Sequence, residues 1–111
     1  MAFDAELAQR VREGLYRVSG GLPDEKRMFG GLCFMIAGNM CCGILGDDLL
    51  ARVGADAYPS LLKEPGAAEM DFTGRPLKGM IMVDAAAVAE DDALQQWLSR
   101  CLAFVMTLPP K

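Results

Sequence analysis

Cys33, Cys41, Cys42 and Cys101 are the only thiols in the chain, and no histidine accompanies them. A tetrahedral metal site made of cysteine alone would need all four to converge. If Gly38 and Asn39 form the turn of a hairpin, Ala37 faces Met40, Met35 faces Cys42 and Cys33 faces Ile44. Side chains alternate along a strand, so this register puts Cys33 and Cys42 on one face and Cys41 on the other. The adjacent pair also lacks the two-residue spacing of a redox motif. The thiols therefore read as small buried hydrophobes, with neither metal nor disulfide expected. Without histidine, the usual general base near neutral pH is missing. Ser19, Ser60 and Ser99 are the only serines, and none lies in a nucleophile-elbow pattern. Asp47–Asp48 and Asp91–Asp92 fall at turns and helix starts, where a capping or dipole role suffices. No catalytic residue is assigned, and the chain is expected to be non-enzymatic and free of metal and cofactor.

Two stretches could bind an anion instead. In "DFTGRPLKG" the planar guanidinium of Arg75 and the ammonium of Lys78 could hold one, assisted by the Thr73 hydroxyl or by backbone N–H groups. The same cations could equally salt-bridge a neighbouring helix. In "RMFGG" the glycines precede Leu32 and Cys33 of a strand. A phosphate loop would need Lys and Ser or Thr there, followed by a helix. The Gly-x-Gly-x-x-Gly pattern of dinucleotide folds is absent too. Gly30 and Gly31 are read as structural, relieving crowding where a strand bends or another element passes close.

The elements that would carry these residues follow from periodicity. Phe3, Leu7, Val11, Leu15 and Val18 recur at helical spacing, predicting a helix over about 3–17 that "SGGLPDE" ends. The period then falls to two. "MFGGLCFMIAG", "MCCGIL" and "LLARV" read as three strands of a meander. Asp56 caps a short helix from Ala57 to about Glu64, with Pro59 in its first turn and Pro65 at its end. A brief strand follows near Met70–Phe72, then "LKGMIMV" as a clearer one and a helical turn from Asp84. Leu94, Trp97, Leu98, Cys101, Leu102, Val105 and Leu108 mark one face of a last helix over about 92–107. The order is helix, three strands, helix, two strands, helix. Tight antiparallel connections argue a two-layer α+β fold with a mainly antiparallel sheet. Leu98 and Leu102 are expected in the core, with Trp97 mostly covered.

Bulk properties narrow the function. The 111 residues suit one domain, and 52% hydrophobic content argues against disorder. A formal charge of -4 and the lack of any basic block disfavour nonspecific duplex binding, which runs on Lys and Arg, though a concentrated basic patch would still permit it. No targeting signature opens the chain and no apolar run reaches a membrane span's length, so a cytoplasmic location away from membranes is expected. Neither "LCFMIAG" nor "GMIMV" contains proline, and the methionines offer an adaptable apolar surface; a homodimer through exposed sheet edges is expected.

In this order, "RMFGGLCFMIAGNMCCGI", "DLLARVGADAY", "MDFTGRPLKGMIMVD" and "WLSRCLAFVMTLPPK" resemble the N-terminal domain family of the bacterial competence regulator TfoX (Sxy). The resemblance runs from about Arg10 to Lys111. Its most specific pieces are Met28, Phe29, Gly30 and Gly31, then Phe72, Thr73, Gly74, Arg75 and Pro76 with Lys78 and Gly79. It implies a single TfoX N-terminal-like domain over 1–111, without the helical C-terminal domain of full-length regulators, and it supplies no catalytic residue. The function it implies is a stand-alone regulatory or protein-interaction domain with an unidentified protein partner. The alternatives are a nucleic-acid-associated transcriptional or competence regulator, in which Lys26, Arg27, Arg75 and Lys78 meet on one side, and a small anion-binding module.

Overall fold

The structure, a computed structural model, describes residues 3–28, 30–71 and 76–111, with the side chains of 71, 76 and 77 also outside the description. Helix α1 spans Ala5–Ser19. The Asp4 carboxylate accepts from the backbone N–H groups of Glu6 and Leu7 at 2.9 and 3.3 Å, satisfying donors that a helix start leaves free. Gly20 ends the helix at φ +77°. Strands β1 (Asp24–Met28), β2 (Gly31–Ile36), β3 (Asn39–Leu45) and β4 (Asp48–Arg52) come next. After α2 (Tyr58–Leu61) come β5 (Ala67–Asp71) and β6 (Pro76–Val83). A 3-10 turn over Ala85–Val88 leads into α3 (Asp91–Val105).

The strands form one six-stranded antiparallel sheet in the order β1-β2-β3-β4-β6-β5. The α+β architecture matches the expectation, with β1 as an added strand ahead of the meander. Its sequence, "DEKRM", carries no apolar alternation, and every residue is exposed. It is held by register with β2, from Asp24 opposite Met35 to Met28 opposite Gly31. The two runs expected at sheet edges are interior strands. β2 lies between β1 and β3, and β6 between β4 and β5. Charge protects the β1 edge, which leaves β5 as the less guarded one.

The hairpin register also differs from the expected one. Ile36 faces Asn39, so the turn is Ala37–Gly38, at φ +53° and +82°. Both signs suit the twist that a two-residue hairpin needs. Asn39 opens β3 and is buried, its amide donating to the Pro109 carbonyl at 2.9 Å. Phe34 pairs with Cys42 but Met35 with Met40, so Cys41 is the extra residue of a bulge. The bulge breaks the alternation. Cys41 and Cys42 both enter the helix-side core with Cys101, and Cys33 lies on the opposite face. The expected pairing of Cys33 with Cys42 on one face is thereby corrected.

Helix α3 lies against β3 and β4 and packs beside α1. Leu98 is fully buried and Trp97 is 4% exposed, while Leu102 is only partly buried at the margin of the core. The α1 stripe buries Leu7, Val11 and Leu15 but leaves Val18 exposed. Asp56 does not cap α2, whose first turn has no side-chain cap. The other sheet face carries Cys33, Met40, Leu50 and Met70, bordered by Met35, Met80 and Met82. Among the described residues, no helix is long and apolar enough to cross a membrane.

Candidate functional site

A cleft of about 310 Å³ opens where β4 ends and β6 begins, walled by Arg52, Gly54, Ala55, Lys78, Gly79 and Phe104. Its floor is bare backbone. The N–H groups of Val53 and Gly54 both donate to the Gly79 carbonyl, at 2.8 and 3.2 Å. This close approach needs both glycines. Gly54 and Gly79 have φ of +85° and +90°, which side-chain-bearing residues rarely adopt. A methyl group on Gly79 would lie 3.1 Å from the Gly54 carbonyl carbon, and one on Gly54 would collide with the Phe104 ring.

Arg52 is the anchored cation of the cleft. Its Nη1 donates to the Met40 carbonyl at 3.1 Å, and its guanidinium lies 5.4 Å from the Phe104 ring centroid. The ring face attracts the cation and fixes the plane of its remaining donors. Lys78, on neighbouring β6, also lines the cleft and is exposed. Among the described residues neither cation makes an ion pair, whereas Arg10, Arg12 and Arg100 pair with Asp91, Glu25 and Glu64. Among the described residues of the lining there is no carboxylate, thiol or hydroxyl, and the Lys78 amine is the only nucleophile.

Gly54, Ala55 and Phe104 also form one wall of a larger trough of about 760 Å³. Val53, Ala57, Leu61 and Ala103 make that trough mostly apolar, and Asp56 and Arg100 line it as well. Arg100 is engaged there, with Nη2 at 2.9 Å from Glu64 Oε1 and its guanidinium 4.7 Å from the Trp97 ring centroid.

The thiols are poor candidates for chemistry. All four are free and buried. The hydrogen bond to neighbouring Cys41, which the Cys42 thiol can donate only while protonated, and then burial raise the Cys42 pKa well above the ordinary thiol value. Burial likewise pushes up Cys101 and Cys33. Protonated, inaccessible sulfur is neither a nucleophile nor a metal ligand. Among the described residues, no group of three or more His, Cys, Asp or Glu could hold a metal.

Of the residues expected to contact an anion, Lys78 lines the cleft, while Thr73 and Arg75 lie outside the described residues. Of the signature residues, Gly31 and Met28 pair across the β1–β2 turn, Pro76 opens β6 and Gly79 floors the cleft. Phe29, Phe72 and Gly74 also lie outside the description. Gly30 and Gly31 serve different ends. Gly30 has φ +76° with open space around it, whereas a methyl on Gly31 would collide with the Ile44 carbonyl oxygen. Sequence reasoning missed Arg52 and Phe104. The available signal was "ARVG", a cation and a glycine just past the end of a strand. Phe104 carried none, because it sits on a helix face that periodicity does not distinguish from surface.

The model of the TfoX N-terminal domain matches residues 19–105. No curated protein and no solved structure matches the chain.

Proposed function

The chain belongs to the TfoX N-terminal domain family, and from that premise we propose that it is a non-enzymatic regulatory or protein-interaction domain that acts by binding. The observation that carries the reading is the Arg52–Lys78 cleft, a two-cation concavity with no acid among the described residues of its lining, on a chain of net charge -4. An anionic group of a ligand or partner is what such a lining recognises. Thermal melting across a panel of phosphates and carboxylates tests it. A bound anion raises Tm by mass action, and a Tm indifferent to every anion would remove the cleft from this reading.

The nucleic-acid alternative has weaker support. Lys26 and Arg27 lie on β1 and Lys78 on β6, with β2, β3 and β4 between them in the sheet order. Strands about 4.8 Å apart put those cations roughly 19 Å from one another across the sheet. The Arg27 guanidinium also lies 5.7 Å from the Phe3 ring centroid. A gel shift with duplex DNA that weakens steeply with salt would favour this alternative instead. A homodimer, on the same reading, pairs through β5, and light scattering at rising concentration would report a mass near twice 12.0 kDa.

A further inference from the structure

We infer that the cleft takes a small organic anion with a single charged head and an apolar body, a carboxylate or phosphate monoester whose head lies between Arg52 and Lys78 and whose body runs over Gly54–Ala55 along Phe104. The inference rests on the anion-binding reading above and adds the ligand's shape. Arg52 is already oriented by the Met40 carbonyl and the Phe104 ring, so little side-chain freedom is lost when it meets an oxyanion. The absent Cβ atoms of Gly54 and Gly79 let the Phe104 ring and the Gly54–Ala55 backbone close up against one another as one continuous wall for the ligand.

The rest of the lining selects the body. Phe104 and the Gly54–Ala55 backbone are shared with the trough, so the cationic cleft continues into apolar surface from Val53, Leu61 and Ala103. A cationic end joined to an apolar channel is complementary to an amphipathic anion. Asp56 on the trough opposes a second negative charge, and Arg100 is already paired with Glu64 at 2.9 Å. A dianion charged at both ends is therefore a poor fit. The volumes, about 310 and 760 Å³, suit a small molecule.

The experiment uses the full chain and four probes: octanoate, phenyl phosphate, inorganic phosphate and octanol. Binding is read by titration calorimetry, and its place by amide chemical shifts. Octanoate or phenyl phosphate should bind at least about tenfold more tightly than either inorganic phosphate or octanol, a gap of about 1.4 kcal/mol. The perturbed amides should be those of Gly54, Ala55 and Gly79. Lys78→Gln, an exposed substitution that leaves the fold intact, should weaken binding about tenfold, as loss of one charge-assisted contact does. Phe104→Ala should weaken octanoate more than inorganic phosphate. If inorganic phosphate binds as well as the organic anions, the apolar-body inference falls while the anion cleft stands. Octanol matching octanoate, or Lys78→Gln without effect, would overturn the role of the cations. If no probe binds, the anion-binding reading itself fails.

Discussion

The Leu98 side chain of α3 fills the space that a side chain on Gly14 of α1 would need. Gln95, one turn earlier, donates to the Gly14 carbonyl at 3.1 Å. The two helices meet closely because one of them has no Cβ at the contact. Gly14→Ala gains about 1 kcal/mol of helix propensity, but Leu98 is fully buried and cannot swing away. Overpacking of this kind costs about 1–3 kcal/mol, so the variant should be destabilised by up to about 2 kcal/mol. Leu98→Ala should cost about 2–5 kcal/mol. Urea unfolding of the double variant should show less than the summed loss, since the cavity accepts the new methyl. Strict additivity would mean that the two sites do not touch.

Gly30 and Gly31 should respond differently to alanine. At Gly30 the strain is one left-handed residue, about 1–2 kcal/mol. At Gly31 the methyl meets the backbone carbonyl of Ile44, and the β2–β3 ladder itself must move. Gly31→Ala should lower Tm markedly more than Gly30→Ala. Equal losses would contradict the separate roles assigned to them.

Ala37 holds φ +53° in the β2–β3 turn, the only side-chain-bearing residue with positive φ among those described. Ala37→Asn creates the Asn-Gly pair that such turns favour. The Ala37 carbonyl still accepts from the Lys111 N–H at 2.8 Å. The variant should gain about 0.5–1 kcal/mol in denaturant unfolding. A loss would show that the C-terminal segment dictates the side chain there.

The Arg12–Glu25 pair ties α1 to the charged edge strand, with Arg12 Nη2 at 2.8 Å from Glu25 Oε1. The hydrogen bond with Arg12 holds the Glu25 carboxyl below the usual carboxylate value. A carboxyl depressed in the folded state adds stability above its unfolded pKa, and that stability is lost as pH falls through the folded value. For a pair whose side chains are 31% and 29% exposed, open to solvent screening, the amount is about 0.2–1 kcal/mol. Glu25→Gln should therefore cost this much at pH 7 and nothing at about pH 2, well below the unfolded value near 4.3. A cost that persists at low pH would assign the loss to packing.

The buried thiols should resist an aromatic disulfide reagent in native buffer and react together once the protein is unfolded. All four are buried, and raised pKa values leave almost no thiolate at Cys33, Cys42 and Cys101 at neutral pH. Rapid labelling of one cysteine in the native protein would identify a breathing segment near it.

By itself the sequence determined the helices and most of the strands, because those features are local. The spacing of Leu94, Trp97, Leu98, Cys101 and Val105 presents one apolar face wherever the helix lies, and "LKGMIMV" is apolar enough to mark a strand, though not to reveal its interior place in the sheet. The lack of histidine, and with it of the usual general base near neutral pH, was equally legible in composition. Tertiary structure alone decided β1, whose charged residues become a strand only because β2 offers an open edge to pair with. It also decided the bulge at Cys41, since a one-residue slip turns a side chain to the other face and no local rule announces it. The cleft belongs to the same class. Arg52 and Phe104 lie far apart in sequence, and they meet only because the strand end, two glycines without Cβ atoms and the end of α3 are packed against one another.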